Sequence, residues 1–218
     1  YRAPIGQFDL DQPLMGQIAL PLTVRRAEDP VRIVVGNANR AAIDALSDPG
    51  NWPYGTAILA GPARSGKSLL SRWAEAQHGN LEAIDGADVV DEAELFHRWN
   101  RAQEGGSALL LVTDRDPWNV GLPDLRSRLG AALHVEIGVP DDDMVAALIE
   151  SHAQARGLAL GEGALTYLVP RLERSFAGVE AVVDAIDRLS LERKVPATQS
   201  VWRDALESVQ GAEQPRLL

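Results

Sequence analysis

Short apolar runs alternate with segments of helical periodicity from residue 31 to Pro140. Runs of apolar and β-branched residues favour buried strands, whereas apolar residues spaced three and four apart favour helices. The predicted strands are 31–35, 56–60, 81–85, 108–113 and 133–137. The predicted helices are 40–46, with Asn37 as a candidate cap, then 69–77, 91–103 and 123–129. This alternation predicts an α/β fold with a parallel, doubly wound sheet, and the fully apolar run at 108–113 is typical of a central strand.

The pattern changes after Pro140, where helical segments follow one another without a strand between them. These segments are 141–156, 162–174, 178–193 and 198–209. They predict a small, all-helical second domain of about 75 residues. The acidic run from Asp141 to Asp143 is interpreted as a helix cap with first-turn acids, because carboxylates are favourable there, and not as a metal cluster.

Residues 1–30 hold four of the thirteen prolines and show no sustained helical period. Such a segment predicts an extended arm. The predicted organisation is therefore an N-terminal arm over 1–30, an α/β domain over 31–140 and a helical domain over 141–218.

Composition narrows the possible partners and compartments. The net charge of -10, with no dense cluster of lysine and arginine, argues against direct binding to duplex DNA. The absence of cysteine excludes disulfides and thiolate metal sites, and the four histidines lack metal-ligand spacing. No apolar run reaches the ~18–20 residues of a membrane span, and no signal peptide is visible. We expect a cytoplasmic protein that reaches DNA only indirectly, with no membrane partner.

A phosphate-binding motif lies between the second predicted strand and the following helix. Residues 61–68 fit the pattern GxxxxGK[ST] at every fixed position. In such a loop backbone N–H groups point at phosphates, Lys67 reaches the β and γ oxygens, and Ser68 ligates Mg²⁺. The predicted nucleotide contacts here are Gly61, Pro62, Ala63, Arg64, Ser65, Gly66, Lys67, Ser68 and Leu69.

The strand at 81–85 ends in Asp85, in a Walker B-like position that predicts a second Mg²⁺ contact. The alternative is an ordinary turn aspartate. ATPases with a phosphate loop and a Walker B strand usually have a second acidic residue directly after this aspartate, where it polarises the attacking water. That position is Gly86, so we expect weak hydrolysis with binding retained.

Three further segments resemble the DnaA/Hda branch of AAA+ proteins, over about residues 31–210. Residues 34–40, Val-Val-Gly-Asn-Ala-Asn-Arg, resemble a box that packs around adenine, which implies ADP or ATP as ligand. Residues 112–117 resemble the sensor 1 segment, and residues 122–129 resemble the segment that carries the arginine finger. The resemblance implies an AAA+ fold with a helical lid. The residues it adds are Val35 and Gly36 at the adenine, Asp114 as sensor 1 and Arg128 as a finger acting in trans.

The arm carries a further resemblance. Residues 17–22 are similar to the peptide by which members of this branch dock on the bacterial sliding clamp, the β subunit of DNA polymerase III. An extended peptide of this kind places alternate apolar side chains in a groove and hydrogen-bonds the glutamine amide. The alternative is a linker packed on the core. The residues of this candidate docking peptide are Gln17, Ile18, Ala19, Leu20, Pro21 and Leu22.

Two departures from the family pattern carry expectations of their own. The stretch from Lys67 to Asp85 is short, so we expect the sheet to lack one strand–helix unit that relatives fit there. Ala177 aligns with the sensor 2 arginine of the lid, and Arg174, one helical turn earlier, is the candidate substitute.

The resemblance implies a regulator that docks on the clamp and promotes hydrolysis of ATP bound to DnaA. Its partners would be DnaA and the clamp, and self-association is compatible because AAA+ proteins often pack finger to site. We expect no basic DNA-binding domain of the DnaA kind. The alternatives are a helicase loader with its own ATPase and a replication scaffold with a degenerate nucleotide site. A P-loop kinase is disfavoured, because the helical unit follows the sheet instead of interrupting it.

Overall fold

The computed structural model describes residues 17–19, 32–115 and 117–213. The strands are β1 (Gln17–Ala19), β2 (Arg32–Val34), β3 (Thr56–Ala60), β4 (Leu81–Ile84), β5 (Ala108–Thr113) and β6 (Leu133–Glu136). The helices are α1 (Arg40–Leu46), α2 (Lys67–Gln77), α3 (Glu92–Gly105), α4 (Pro123–Gly130), α5 (Asp142–Ala155), α6 (Ala164–Leu168), α7 (Phe176–Arg193) and α8 (Gln199–Glu213).

The central sheet is parallel and has the strand order β4-β5-β3-β6. The chain leaves β3 through α2, returns at the far edge as β4, steps inward to β5, and crosses over to β6 on the other side of β3. The apolar strand β5 lies between two neighbours, as predicted. Crossovers run in opposite directions from β3, so loops at its carboxyl end diverge and leave a crevice, the usual ligand position in such sheets.

Helices cover both faces of this sheet, which confirms the doubly wound prediction. Leu110 and Val112 of β5 belong to the core that includes residues of α1 and α2. Leu109 and Leu111 face the opposite way, into the core formed with α3 and α4. Successive side chains of a strand alternate between faces, so a strand that is apolar at every position needs cover on both.

The sheet has four strands in the described part of the chain. α2 leads directly to β4, which pairs with β5 and not with β3. This matches the expectation from the short stretch between Lys67 and Asp85. A separate two-stranded antiparallel sheet joins β1 to β2, with Gln17 opposite Val34.

Two aspartates cap helices, and the sequence predicts this role for one of them, Asp141. The Asp91 carboxylate accepts hydrogen bonds from the Ala93 and Glu94 amides at the start of α3. Asp141 accepts a hydrogen bond of 2.8 Å from the Met144 amide, which supports its interpretation as the cap of α5. Among the described residues, no group of three or more acidic or histidine side chains is arranged to hold a metal ion.

The region after Pro140 is helical, but it differs from the prediction at two segments. The helix expected over 162–174 is a short α6, continued by a 3₁₀ turn over Val169–Arg171. Pro170 lacks an amide hydrogen and so cannot continue the α-helical ladder. α7 begins two residues earlier than expected because Ser175 caps it through the Gly178 amide.

The lid and the α/β domain share one apolar core. Met144 and Val145 of α5 are buried in the same cluster as Ile33 and Val34 of β2. No helix within the described ranges combines the length and apolarity needed to cross a bilayer.

Candidate functional site

The loop between β3 and α2 has the backbone of a phosphate cradle. A Cβ atom at Gly61 would lie 2.9 Å from the Ile137 Cβ, so only glycine fits there. Gly66 has φ +87° and no atom within 4 Å of a hypothetical Cβ, so the approach to it is open. No side chain caps the first turn of α2. The N–H groups at this helix start are therefore available to an anion.

Lys67 is the buried cation of this loop. Its side chain is 7% exposed, and Nζ donates hydrogen bonds to the carbonyl oxygens of Gly61 at 2.9 Å and Pro62 at 2.7 Å. Nζ also lies 2.8 Å from Oδ1 of Asp114, a carboxylate that is mostly exposed. The ammonium is thus fully engaged within the chain, and a phosphate would have to replace some of these acceptors.

A cleft of about 490 Å³ opens beside the loop. It is lined by loop residues 63–69, by the carboxyl ends of β4 and β5, and by two lid side chains, His152 and Glu180. Asp85 and Asp114 both line this cleft, so the structure brings the two predicted acids to the edge where Ser68 lies. Carboxylate and hydroxyl oxygens are the ligands that Mg²⁺ prefers in nucleotide sites.

The backbone at Gly86 explains why no second acid follows Asp85. Gly86 has φ +67°, in the left-handed region, and it precedes a short 3₁₀ turn over Ala87–Val89. A residue with a side chain is strained in this conformation. The catalytic acid expected of an active ATPase of this type is therefore disfavoured by the local fold as well as absent from the sequence.

The lid contributes an acid and a histidine to the cleft, and sequence reasoning found neither. Glu180 of α7 forms an ion pair of 3.5 Å with Arg64 of the phosphate loop. Burial, and then the charge of Arg156, lower the pKa of His152, while Glu180 and Asp184 raise it to a lesser degree. Among the described lining residues, the lid supplies no lysine or arginine to the cleft.

The candidate substitute for the sensor 2 arginine points elsewhere. Nε of Arg174 donates to Oδ1 of Asp142 at 2.9 Å, at the start of α5. Arg174 is not among the residues that line the cleft, and Ala177 is exposed on the first turn of α7. No contact in the described structure connects Arg174 with the phosphate loop.

The box at 34–40 forms a tight turn beneath α5. Val35 and Gly36 are buried or nearly so and do not line the cleft. The buried Asn39 holds the turn, accepting from the Gly36 amide at 2.9 Å and donating to the Val34 carbonyl at 2.8 Å. A Cβ at Gly36 would lie 2.8 Å from Sδ of Met144, so glycine allows α5 to approach this closely.

Asn37 ties this box to the segment that leads into the lid. Its Nδ2 donates to the Val139 carbonyl at 3.1 Å, and its Oδ1 accepts from the Asp141 amide at 3.0 Å. The Gly138 amide donates to the Ala38 carbonyl at 2.9 Å. Asn37 therefore does not cap α1, whose cap position is Asn39. It joins the two domains, a role that no local sequence signal indicates.

Arg128 lies on α4 and does not line the cleft of its own chain. Its Cζ is 4.4 Å from the ring centroid of Phe96 and 4.2 Å from that of Trp99, both on α3. Its Nη1 donates a short hydrogen bond to Oδ1 of Asn100. No carboxylate among the described residues forms a salt bridge with Arg128.

Half of the candidate docking peptide can be placed. Residues 17–19 form β1, paired through the backbone with β2. Leu20, Pro21 and Leu22 lie outside the described residues.

Comparison with solved structures gives the fold. Domain III of the DnaA initiator from Thermotoga maritima is 14% identical, with a TM-score of 0.68 over 81% of this chain and 94% of that one. A DnaA structure bound to AMPPCP and single-stranded DNA is 19% identical, with a TM-score of 0.59 over 74% of this chain. The Thermotoga maritima RuvB branch migration motor gives a TM-score of 0.54 at 14% identity, over 77% of this chain and 65% of that one. The chain spans 66% of the length of the AMPPCP-bound DnaA, just under two thirds.

The parallel sheet, the phosphate loop and the helical lid, together with these likenesses, define an AAA+ protein. Residues 141–199 match the family model of the Hda lid domain. With that match, the lid is similar to that of Hda, and the chain as a whole has the fold of the DnaA-related AAA+ proteins.

Proposed function

We propose that this protein binds ADP or ATP with Mg²⁺ in the cleft, docks on the DNA sliding clamp, and promotes hydrolysis of ATP bound to DnaA. It would thereby act as a negative regulator of replication initiation. The observation that carries the proposal is the position of Arg128, which lies outside the cleft of its own chain and has no acidic partner among the described residues. Such an arginine is suited to a nucleotide that another subunit holds.

The residues of the cleft fit a nucleotide. Lys67 and the amides at the start of α2 would hold the phosphates, and Ser68 and Asp85 would hold Mg²⁺. The open space above Gly66 leaves room for the phosphates to approach the backbone. When bound, the nucleotide supplies charge and contact area between the loop and the lid. The adenine would lie towards the box that includes Val35 and Gly36.

Hydrolysis in the chain's own cleft is expected to be slow. Gly86 provides no acid to polarise water, and the described lid residues that line the cleft, His152 and Glu180, provide no cation for a γ-phosphate. Lys67 is in addition paired with Asp114. These features favour a protein that uses nucleotide as a structural ligand over an independent motor.

Action in trans would come from Arg128. A guanidinium beside the γ-phosphate of a partner's ATP stabilises the charge that develops during hydrolysis, an effect worth roughly 10³–10⁵ in rate. The clamp would act as a tether, because two linked binding sites raise the effective concentration of one partner near the other. The docking peptide begins in β1, which is paired with β2 and so tied to the folded domain.

The test is a reconstituted assay in which DnaA holds radiolabelled ATP in the presence of clamp-loaded DNA. Wild type should speed the release of labelled phosphate. Gln17→Ala should lose this acceleration at low protein concentration, where docking on the clamp brings the two proteins together. At high protein concentration, where the tether is not needed, the variant should accelerate hydrolysis as wild type does. If wild type leaves DnaA-bound ATP unchanged, the proposal fails. Fast intrinsic ATPase activity would then favour a helicase loader. No intrinsic ATPase activity would favour a replication scaffold.

A further inference from the structure

His152 of α5 uses only one of its two ring nitrogens within the chain. Nη1 of Arg156, one helical turn later, lies 3.4 Å from Nδ1 of His152 and donates to its carbonyl oxygen at 3.0 Å. An arginine side chain is only a donor, so Nδ1 is the acceptor and the neutral ring carries its proton on Nε2. A neighbouring side chain thus decides which tautomer His152 adopts.

Arg156 is in turn held in place by the lid. Its Nε donates to Oδ1 of Asp184 on α7 at 2.6 Å, and its Nη2 pairs with the same carboxylate. The guanidinium therefore stays beside Nδ1, where its charge opposes a second proton on the ring. Burial, and then this charge, lower the pKa of His152, so the neutral ring with its proton on Nε2 prevails at about pH 7.5.

Nε2 of His152 is accessible from the nucleotide cleft. This nitrogen forms no hydrogen bond with any described residue, and it is not one of the buried polar atoms without a partner, which are indole nitrogens of three tryptophans. His152 lines the cleft together with residues of the phosphate loop, whereas Val35 and Gly36 of the box that would contact adenine do not. The Nε2–H group is therefore an unused donor on the phosphate side of the cleft.

We infer that His152 binds a phosphate oxygen of the nucleotide through its Nε2–H group, with Arg156 as the positioning residue that fixes the tautomer. This inference rests on the nucleotide binding of the proposed function and adds a lid residue to it. The other lid residue at the cleft within the described structure is Glu180, an acid that repels phosphate and is paired with Arg64. A bond from His152 would connect the lid directly to a ligand that the phosphate loop holds.

A phosphate beside Nε2 also changes the affinity of the ring for a second proton. The charged groups around His152 and this part of the cleft are Glu180 and Asp184 on α7, Arg156 on α5, Arg64 in the loop, Lys67 and Arg72 on α2, and Asp85 and Asp114 after β4 and β5. Bound ADP adds negative charge to these surroundings, so the pKa of His152 should be higher in the complex than in the free protein. ADP binding and proton binding then favour each other, and the contribution of His152 to affinity should grow as the pH falls.

Imidazole ¹⁵N spectra test the arrangement without any measurement of activity. In the free protein, Nε2 of His152 should appear as the protonated nitrogen and Nδ1 as the unprotonated one, and Arg156→Gln should weaken that preference. Addition of ADP with Mg²⁺ should shift the Nε2 signal and raise the pKa of His152. A proton on Nδ1 in wild type, or an Nε2 signal that saturating ADP leaves unchanged, would overturn the inference.

Calorimetric titration with ADP and Mg²⁺ at about pH 7.5 and about pH 6 measures the contact. His152→Leu removes the donor and should bind ADP about tenfold more weakly at the higher pH, the effect of one hydrogen bond to a charged group. His152→Gln places an amide donor near the position of Nε2, so it should restore most of the affinity there. Neither variant should show the larger advantage that wild type gains at the lower pH. Because ADP itself titrates in this range, the variants are compared with wild type at each pH. If His152→Leu does not fold, His152→Gln still tests the pH-dependent part.

Pyrophosphate distinguishes a contact with phosphate from one with the ribose. His152→Leu should weaken the binding of pyrophosphate and of ADP by the same factor, and a loss confined to ADP would overturn the assignment to phosphate. His97→Leu is the matched control, because His97 is exposed on α3 and lies outside the cleft, and it should bind both ligands as wild type does. If wild type binds ADP no more tightly than Lys67→Ala, nucleotide binding fails and the proposed function with it. If wild type binds ADP and the His152 variants match it at both pH values, the His152 contact alone is wrong.

Discussion

Lys67 and Asp114 form an ion pair of 2.8 Å across the mouth of the phosphate loop, with the lysine buried and the aspartate exposed. The carboxylate of Asp114 competes with the β-phosphate of a nucleotide for the ammonium group of Lys67. Asp114→Asn should therefore tighten ADP binding in the absence of Mg²⁺. Because the aspartate is mostly exposed to solvent, the pair is worth only ~0–1 kcal/mol, and the expected change in affinity is about threefold. Isothermal titration calorimetry with ADP measures it.

The controls for this prediction lie in the same region. Asp88→Asn removes a carboxylate that pairs with Arg115 outside the cleft, and it should leave ADP affinity unchanged. Lys67→Ala should abolish binding in the concentration range of the titration. Weaker binding by Asp114→Asn would mean that Asp114 assists the nucleotide instead of competing with it.

The bonds of Asn37 predict that nucleotide affinity depends on the connection between the two domains. Asn37→Ala removes one bond to Val139 and one to Asp141, and it should lower unfolding stability by about 1–2 kcal/mol. It should also weaken ADP binding several-fold, since the lid is less firmly oriented over the loop. Denaturant titration and calorimetry on the same samples separate the two effects.

Ser47→Ala is a suitable comparison, because its hydroxyl bonds only the Ile43 carbonyl within α1. It should cost stability without changing affinity. An Asn37→Ala variant that binds ADP as tightly as wild type would show that the hydrogen bonds of Asn37 do not orient the lid.

His152 predicts a loss of stability in mild acid. Burial and the charge of Arg156 lower its pKa below the ordinary 6.5, so the folded state binds this proton less readily than the unfolded state. The free energy of unfolding therefore contains a contribution that is complete above pH 6.5 and is lost as the pH falls from there through the lowered pKa. Denaturant curves at pH 7.5 and 5.5 should show a smaller loss for His152→Gln than for wild type, and His97→Gln, at an exposed position, should match wild type. Equal losses for all three proteins would contradict this assignment.

The parts of the candidate site whose positions in the structure follow from the sequence are those fixed by local chemistry. The loop from Gly61 to Ser68 needs its glycines where φ or packing requires them. Asp85 and Asp114 follow parallel strands, and the carboxyl ends of such strands meet at one edge, so their common cleft follows from the alternating pattern.

Contacts between distant residues account for the features that the sequence did not predict. Glu180 and His152 reach the cleft only because α5 and α7 pack over the loop, and neither has a motif around it. Arg174 was the natural candidate for a nucleotide contact, yet Asp142, distant in sequence, lies closer to it. The contacts of Arg128 with Phe96 and Trp99 likewise require α3 and α4 to lie side by side on one face of the sheet.

The central claim is that Arg128 acts on a nucleotide bound to DnaA. The direct measurement is the single-turnover rate of hydrolysis of ATP preloaded on DnaA, with clamp-loaded DNA and saturating amounts of wild type, Arg128→Ala or Arg171→Ala. Arg171 is the control, since it too is an arginine stacked on an aromatic ring. The account predicts acceleration by wild type and Arg171→Ala, and a loss of at least about 10³-fold in Arg128→Ala, the lower range for an arginine finger. Equal acceleration by wild type and Arg128→Ala would contradict it.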